Sequence, residues 1–256
     1  MGNGMGFLAG SMMNASPVLS QEVDFGIKGY FQYSFFGHEV WLTTTHVTML
    51  IIMLLILAFA VAANIAIRNA DPNKVPGKFL NIVEYMVEMV DNMTLSSMGT
   101  EHGHKFANYI GTLFIYILLS NISGIIGLRS ATADYGVTFG LALVTFVLIH
   151  FNGFKYQKFG HITNLFKPVI LAPINIIGEI ATPISLSLRL FGNVLSGTVM
   201  LALIYGLLPK LLLFIISPVM AGLHVYFDIF SGAIQTYVFC MLTMVFISQN
   251  FEEEEA

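Results

Sequence analysis

Pro183-Ile184-Ser185-Leu186-Ser187-Leu188-Arg189-Leu190-Phe191-Gly192-Asn193 sets one arginine inside an apolar run, with Ile174 to Ile177 before it and Val199 to Leu208 after it. A charge at the centre of a bilayer costs about 2.5–3.5 kcal/mol on translocon scales and roughly 10–17 kcal/mol in simulations of an isolated helix. Apolar sequence on both sides keeps the guanidinium from snorkelling to the headgroups. Two explanations remain. Either Arg189 pairs with a carboxylate inside a helical bundle, or it lies on the path of an ion or substrate, the default for an ionisable residue at membrane depth.

The rest of the chain shares that solvent. Hydrophobic residues make up 56% and charged residues only 10%, whereas about a quarter of a soluble domain is charged. The 256 residues leave room for five or six spans with short connections, and none for a second globular domain. A single cysteine, Cys240, excludes an internal disulfide and reads as a packing residue in its apolar run. The net charge of −4 singles out no partner. No Gly-x4-Gly-Lys-Ser/Thr run occurs, so nucleotide chemistry belongs to other chains. Neither a cofactor nor a nucleic-acid partner is expected.

Around the arginine stretch lie two unusually long apolar segments, 168–208 and 211–250. At about 1.5 Å per residue, a helix of some 40 residues is roughly 60 Å long, twice the approximately 30 Å of a bilayer core. Pro173, Pro183 and Pro218 permit kinks, but the only tight reversal is Leu207-Leu208-Pro209-Lys210. The expectation is a hairpin of two long, steeply tilted helices.

Nearer the N-terminus, residues 1–42 form an external segment with no basic residue before Lys28, so the charged start of a secretory signal is missing. Gly6 stands where a myristoylation pattern needs Ser or Thr. Tyr30, Phe31, Tyr33, Phe35, Phe36 and Trp41 suit a headgroup layer or a core equally. The first span is 47–67, closed by Arg68 and the linker Asp71 to Gly77. Over 76–98, Phe79, Ile82, Val83, Met86, Val87, Met89, Val90 and Met93 recur at helical spacing opposite Glu84, Glu88 and Asp91, which describes an amphipathic helix in the interface. Glu101, His102, His104 and Lys105 precede a second span, 106–128, whose Asn108 and Asn121 are placed to bond across helices. Two histidines without a third ligand read as surface residues, not a metal centre. After Arg129 and Asp134 comes a third span, 136–154, and the chain ends in an acidic tail, 251–256. The fold class is therefore an all-α polytopic membrane protein with five membrane-embedded helices and one interfacial amphipathic helix.

Orientation follows from basic residues. Loops 68–105 and 155–167 hold seven of them (Arg68, Lys74, Lys78, Lys105, Lys155, Lys158, Lys167), against three on the other side (Lys28, Arg129, Lys210). The positive-inside rule then puts the N-terminus outside and the tail in the cytoplasm.

Along the first long helix, Ser185, Arg189 and Asn193 recur at steps of four; along the second, His224, Asp228, Ser231 and Gln235 recur at steps of four, three and four. These two polar stripes either bond only to each other or line an aqueous seam. With the helices running in opposite directions, Glu179 falls toward the cytoplasm, Arg189 and Gln235 near the middle, and His224 and Asp228 toward the outside. Two acidic stations flanking a central cation describe two half-paths that end at mid-membrane.

PISLSLRLFGN at 183–193, followed by Ile234-Gln235-Thr236-Tyr237-Val238-Phe239, resembles subunit a of F-type ATP synthases over roughly residues 75–250. The resemblance implies a non-catalytic stator subunit of a bacterial plasma membrane, partnered by a c-ring and peripheral-stalk b subunits, that translocates H+ or Na+ through two offset half-channels. It also implies that Arg189 is the arginine between those channels and Gln235 the glutamine opposite it. Asp228 stands where relatives carry a histidine or glutamate, and Thr198 where some carry a glutamate. That departure leaves Asp228, with His224, as the acidic group of the outer half-channel. Asn193, Ser231 and Glu179 complete the expected ion-translocation set. The rival readings are a secondary transporter and an ion channel with a mid-membrane Arg/Asp/Glu site; a transporter would show paired repeats, and the arginine motif has no second copy.

Overall fold

Long apolar runs without turn residues give helices, and five of those found are long and apolar enough to cross a bilayer. The computed structural model describes residues 29–35, 38–70, 77–158, 160, 172–207 and 210–252. The start of the chain, the linker at 71–76, His161, Lys167, residues 168–171, the reversal at 208–209 and the glutamates from 253 onward lie outside them.

One feature departs from the all-α expectation. The aromatic segment before the first span forms an antiparallel ribbon, β1 (Gly29–Phe35) and β2 (His38–Thr43), with Tyr33 opposite Val40 and Ser34 opposite Glu39. Tyr, Phe, Trp and Val favour a pleated, half-buried surface, so a pair of short strands is as good a use of these residues as a headgroup belt.

Helix α1 (Thr44–Arg68) follows directly and buries only Thr45, Thr48, Ile52 and Ala63. Leu50, Met53, Leu54 and Leu57 point outward, as on a helix that meets lipid around most of its circumference. Helix α2 (Lys78–Ile122) contains one non-helical residue, Gly99, at φ 75° and ψ 171°. Only glycine takes that conformation without strain, and the chain doubles back there. A side chain at Gly103 would meet the Leu95 backbone at 3.1 Å, and one at Gly111 would meet Val90 at 3.3 Å. In a straight helix those residues would be some 12 and 32 Å apart. The charged half, 78–98, therefore lies folded against the apolar half, 100–122, with Val83, Val90, Thr94 and Met98 as its buried edge.

Two 3-10 turns (Ser123–Ile126 and Ala131–Ala133) lead into α3 (Tyr135–Gln157), capped by the Asp134 carboxylate, which accepts from the Gly136 N–H at 3.0 Å. Helix α4 (Ala172–Leu207) runs unbroken through Pro183. The last long segment consists of α5 (Lys210–His224), a π-helical stretch (Val225–Ser231) and α6 (Gly232–Glu252). Asn193 contacts Ser231, and Gly197 lies against Phe227. Position rises on one helix as it falls on the other, so α4 and the last segment form an antiparallel hairpin.

The core gathers where α2, α3 and α4 meet α6, around Ile110, Ile117, Leu186, Leu190, Phe239, Met244 and Ile247, with Cys240 fully buried among them. His102 stacks on Phe251 at 4.0 Å and meets Tyr156 edge-on at 5.3 Å, so this histidine packs a helix end against its neighbours instead of standing on the surface.

Candidate functional site

The π-helical stretch places the first part of the site. A π turn holds one more residue than an α turn and is frequent at functional sites; here it carries Asp228. Asp228 Oδ2 lies 3.3 Å from His224 Nδ1, and His224 Nε2 lies 3.2 Å from the Tyr205 hydroxyl. The Asp228 carboxylate only accepts, so Nδ1 carries the proton it donates, and in the neutral ring Nε2 is left to accept from the Tyr205 hydroxyl. The chain Tyr205–His224–Asp228 thus joins α4 to the last segment.

These groups open onto a cavity of about 420 Å³. Asp228, His224, Asn193 and Thr198 line it from the hairpin, and Asn121 and Arg129 from the end of α2 and the loop after it. Ser231 Oγ donates to Asn193 Oδ1 at 2.7 Å on its wall. Asn121 holds the loop and the hairpin together. Its Nδ2 donates to the Gly232 carbonyl at 3.0 Å and to Thr236 Oγ1 at 3.3 Å, while its Oδ1 accepts from Thr132 Oγ1 at 2.7 Å. Ser130 Oγ donates to the Ser120 carbonyl at 2.7 Å in the same buried network. Gly232 must be glycine for this approach, since a Cβ there would stand 2.9 Å from Asn121 Cβ.

Arg189 stands apart. It is exposed on the outward face of α4, next to the exposed Leu188, while Leu186, Ser187 and Leu190 turn inward. No hydrogen bond or ion pair joins it to a described residue, so none of the described carboxylates is its partner. The antiparallel register set by Asn193–Ser231, continued four residues along each helix, brings Gln235 level with Arg189. Gln235 Nε2 is sealed from solvent and has no hydrogen-bond partner among the described residues.

On the other side of Arg189 lies a smaller hollow of about 170 Å³, lined by Gly178, Thr182, Ser185 and Arg189 of α4 and by Phe246. Glu179, beside it, meets a residue the sequence reading did not single out: Glu179 Oε1 lies 3.3 Å from His150 Nε2 of α3.

The structure thus brings His224 together with Asp228, and Asn193 with Ser231; Glu179 and Arg189 are bonded to neither pair. His150, Tyr205 and the Asn121 network were not foreseen as parts of the site. His150 was findable, as an ionisable residue inside the 136–154 span. Asn121 bonds across helices as its place in the 106–128 span predicts, but which residues it meets was not readable, nor was the contact of Tyr205, because these partners lie more than 110 and 19 positions away. No group of three or more metal-ligating side chains occurs among the described residues.

The ATP synthase A chain family matches residues 46–248. The ATP synthase subunit a of Desulforamulus reducens is 35% identical over 217 residues, covering 83% of this chain and 79% of its own length. A sodium ion specific ATP synthase subunit a from Propionigenium modestum is 40% identical over 169 residues, 59% of this chain and 56% of the relative. The ATP synthase subunit a of Mycoplasmoides gallisepticum is 30% identical over 241 residues, 84% and 80% of the two chains.

Proposed function

This multi-pass membrane chain belongs to the ATP synthase A chain family, whose subunit a conducts ions without catalysing a reaction, and we propose that it is the stator past which a ring of c subunits turns. In this reading a carboxylate on the ring takes an ion from one half-path, moves through lipid and releases it into the other. The 420 Å³ cavity with Asp228, His224, Asn193 and Ser231 is the outer half-path, and the hollow beside Glu179 is the inner one. Arg189 separates them and keeps the passing carboxylate ionised; Gln235 stands level with it. The ion is H+ or Na+, a choice that rests largely on the ion site of the c subunit.

One observation carries the reading: Arg189 faces outward, paired with no acid among the described residues, between two hollows on the same helix. A desolvated cation on a lipid-depth face needs an anion, and a carboxylate on another subunit supplies it. Peripheral-stalk b subunits would hold this chain still. The seven-to-three distribution of basic residues supports a bacterial plasma membrane orientation with the N-terminus outside and the C-terminus cytoplasmic, in which α4 and α5–α6 tilt to fit the bilayer.

Arg189→Ala tests this. If Arg189 were half of a buried pair, its removal would cost about 3–5 kcal/mol and the complex would assemble poorly. As a separator of two half-paths it leaves assembly intact and abolishes ATP synthesis driven by an imposed ion gradient. Arg189→Lys rescues little, because an ammonium lacks the planar fork and loses its proton more readily when desolvated. Normal synthesis by an assembled Arg189→Ala complex refutes the assignment.

A further inference from the structure

We propose that His150 works with Glu179 as one proton-holding station on the inner half-path. The inference rests on the two-half-path reading and adds to it a residue and an ion.

The geometry places the two groups within reach of a shared proton. His150 Nδ1 lies 3.1 Å from the Phe146 carbonyl oxygen, one turn back on α3. A carbonyl only accepts, so Nδ1 carries a hydrogen. The other ring nitrogen, Nε2, faces Glu179 Oε1 at 3.3 Å. At that distance a protonated ring forms an ion pair with the carboxylate, and passing the proton across leaves imidazole with carboxylic acid. The pair gives up that proton to become imidazole plus carboxylate, or accepts a second to become imidazolium plus carboxylic acid. In each step one proton enters or leaves and Nδ1–H is unchanged.

Position points the same way. His150 is seven residues from the end of α3 and Glu179 seven from the start of α4, so both lie about 10 Å from the same end of the bundle. Their side chains are 27% and 29% exposed, too little for free surface groups. Ten residues further along α4, about 15 Å at helical rise, stands Arg189, with Thr182 and Ser185 of the hollow between them. A sodium ion gains little from an oxygen already facing a proton donor, so the station fits H+.

The test compares His150→Gln, Glu179→Gln, the double variant and Arg189→Ala in whole ATP synthase in membrane vesicles, reading assembly on native gels and ATP-driven acidification. The expected result is assembled complex, with acidification slowed about tenfold or more in each single variant, below the roughly 10²–10⁴-fold of a fully rate-limiting proton-transfer group. The double variant should be no slower than the slower single one, because residues acting as a unit are not additive. Unchanged acidification in His150→Gln, or losses that multiply in the double variant, overturns the pair. If His150→Gln and Glu179→Gln are both silent while Arg189→Ala is inactive, this inference fails and the two-half-path reading survives; an active Arg189→Ala complex removes that reading itself. Should His150→Gln not assemble, the exchange His150→Glu with Glu179→His decides: assembly with acidification restored supports the station, and assembly without it, or no assembly, makes the contact structural and overturns the proposal.

Discussion

The two hollows on either side of Arg189 are built in different ways. The larger is walled by the end of α2, the loop after it, α4, the π-helical stretch and the start of α6, and a buried hydrogen-bond network centred on Asn121 ties these elements together. The smaller is a groove on α4, with Phe246 as its only wall from another helix among the described residues. A buried polar network with its members satisfied fixes a single geometry, so the larger cavity is complete within this chain. The groove, with Arg189 at its end, needs a surface from outside to close it. On the two-half-path proposal, the outer path is pre-formed and the inner one is finished by assembly.

The most decisive break of this comparison is the side from which each hollow is reached. Leu195 lines the larger and Ala181 the smaller, and Cys240 is fully buried, so a membrane-impermeant thiol reagent reports on cysteines placed at 195 and 181 alone. Leu195→Cys should label only from outside and Ala181→Cys only from the cytoplasm. Labelling of both from one side would collapse the two half-paths into one.

Next in size is loss of the acid. Asp228→Asn leaves the contacts near Gly124 sterically intact but removes the only carboxylate lining the cavity among the described residues, and ATP-driven ion pumping should fall about 10²-fold, the low end for a positioned proton-transfer group. Thr198 lines the same cavity but spends its hydroxyl on the Val194 carbonyl of its own helix at 2.9 Å, so Thr198→Ala should pump close to normally. Equal, near-normal rates in both would take Asp228 out of the mechanism.

Two glycines give the smallest and sharpest contrast. Gly232→Ala forces a methyl to 2.9 Å from Asn121 Cβ; overpacking of that kind costs about 1–3 kcal/mol, and the purified subunit should lose thermal stability in detergent along with outer-path flux. Gly178→Ala meets nothing within 4 Å, and the helix-propensity gain of up to about 1 kcal/mol should leave the isolated subunit as stable or slightly more so. Its effect should appear on assembly with the ring, as weaker association on a native gel. If Gly178→Ala assembles as well as the unaltered chain, the groove is not closed by close contact with a partner.

Much of this protein was determined by the linear order of its residues. An apolar stretch either is or is not long enough to cross about 30 Å of hydrocarbon, and that is readable without a fold; so are the expense of Arg189 and the helical spacing of Asp228 from His224. Because contacts four apart on one helix are local, the His224–Asp228 contact was legible in advance. The tertiary structure alone decided what joins distant positions. The backbone at Gly99 could have carried one bent helix or a fold-back, and only the packing of Gly103 on Leu95 and Gly111 on Val90 selects the latter. A π turn costs one residue of register and leaves no mark in hydrophobic periodicity, so its presence around Asp228 had to be observed. The pairing of His150 with Glu179 across α3 and α4, like the hold of Asn121 on Gly232, depends on the rotation of two helices about their axes. That rotation is set by which side chains interlock in the core, a property of the whole packed bundle that no single stretch contains.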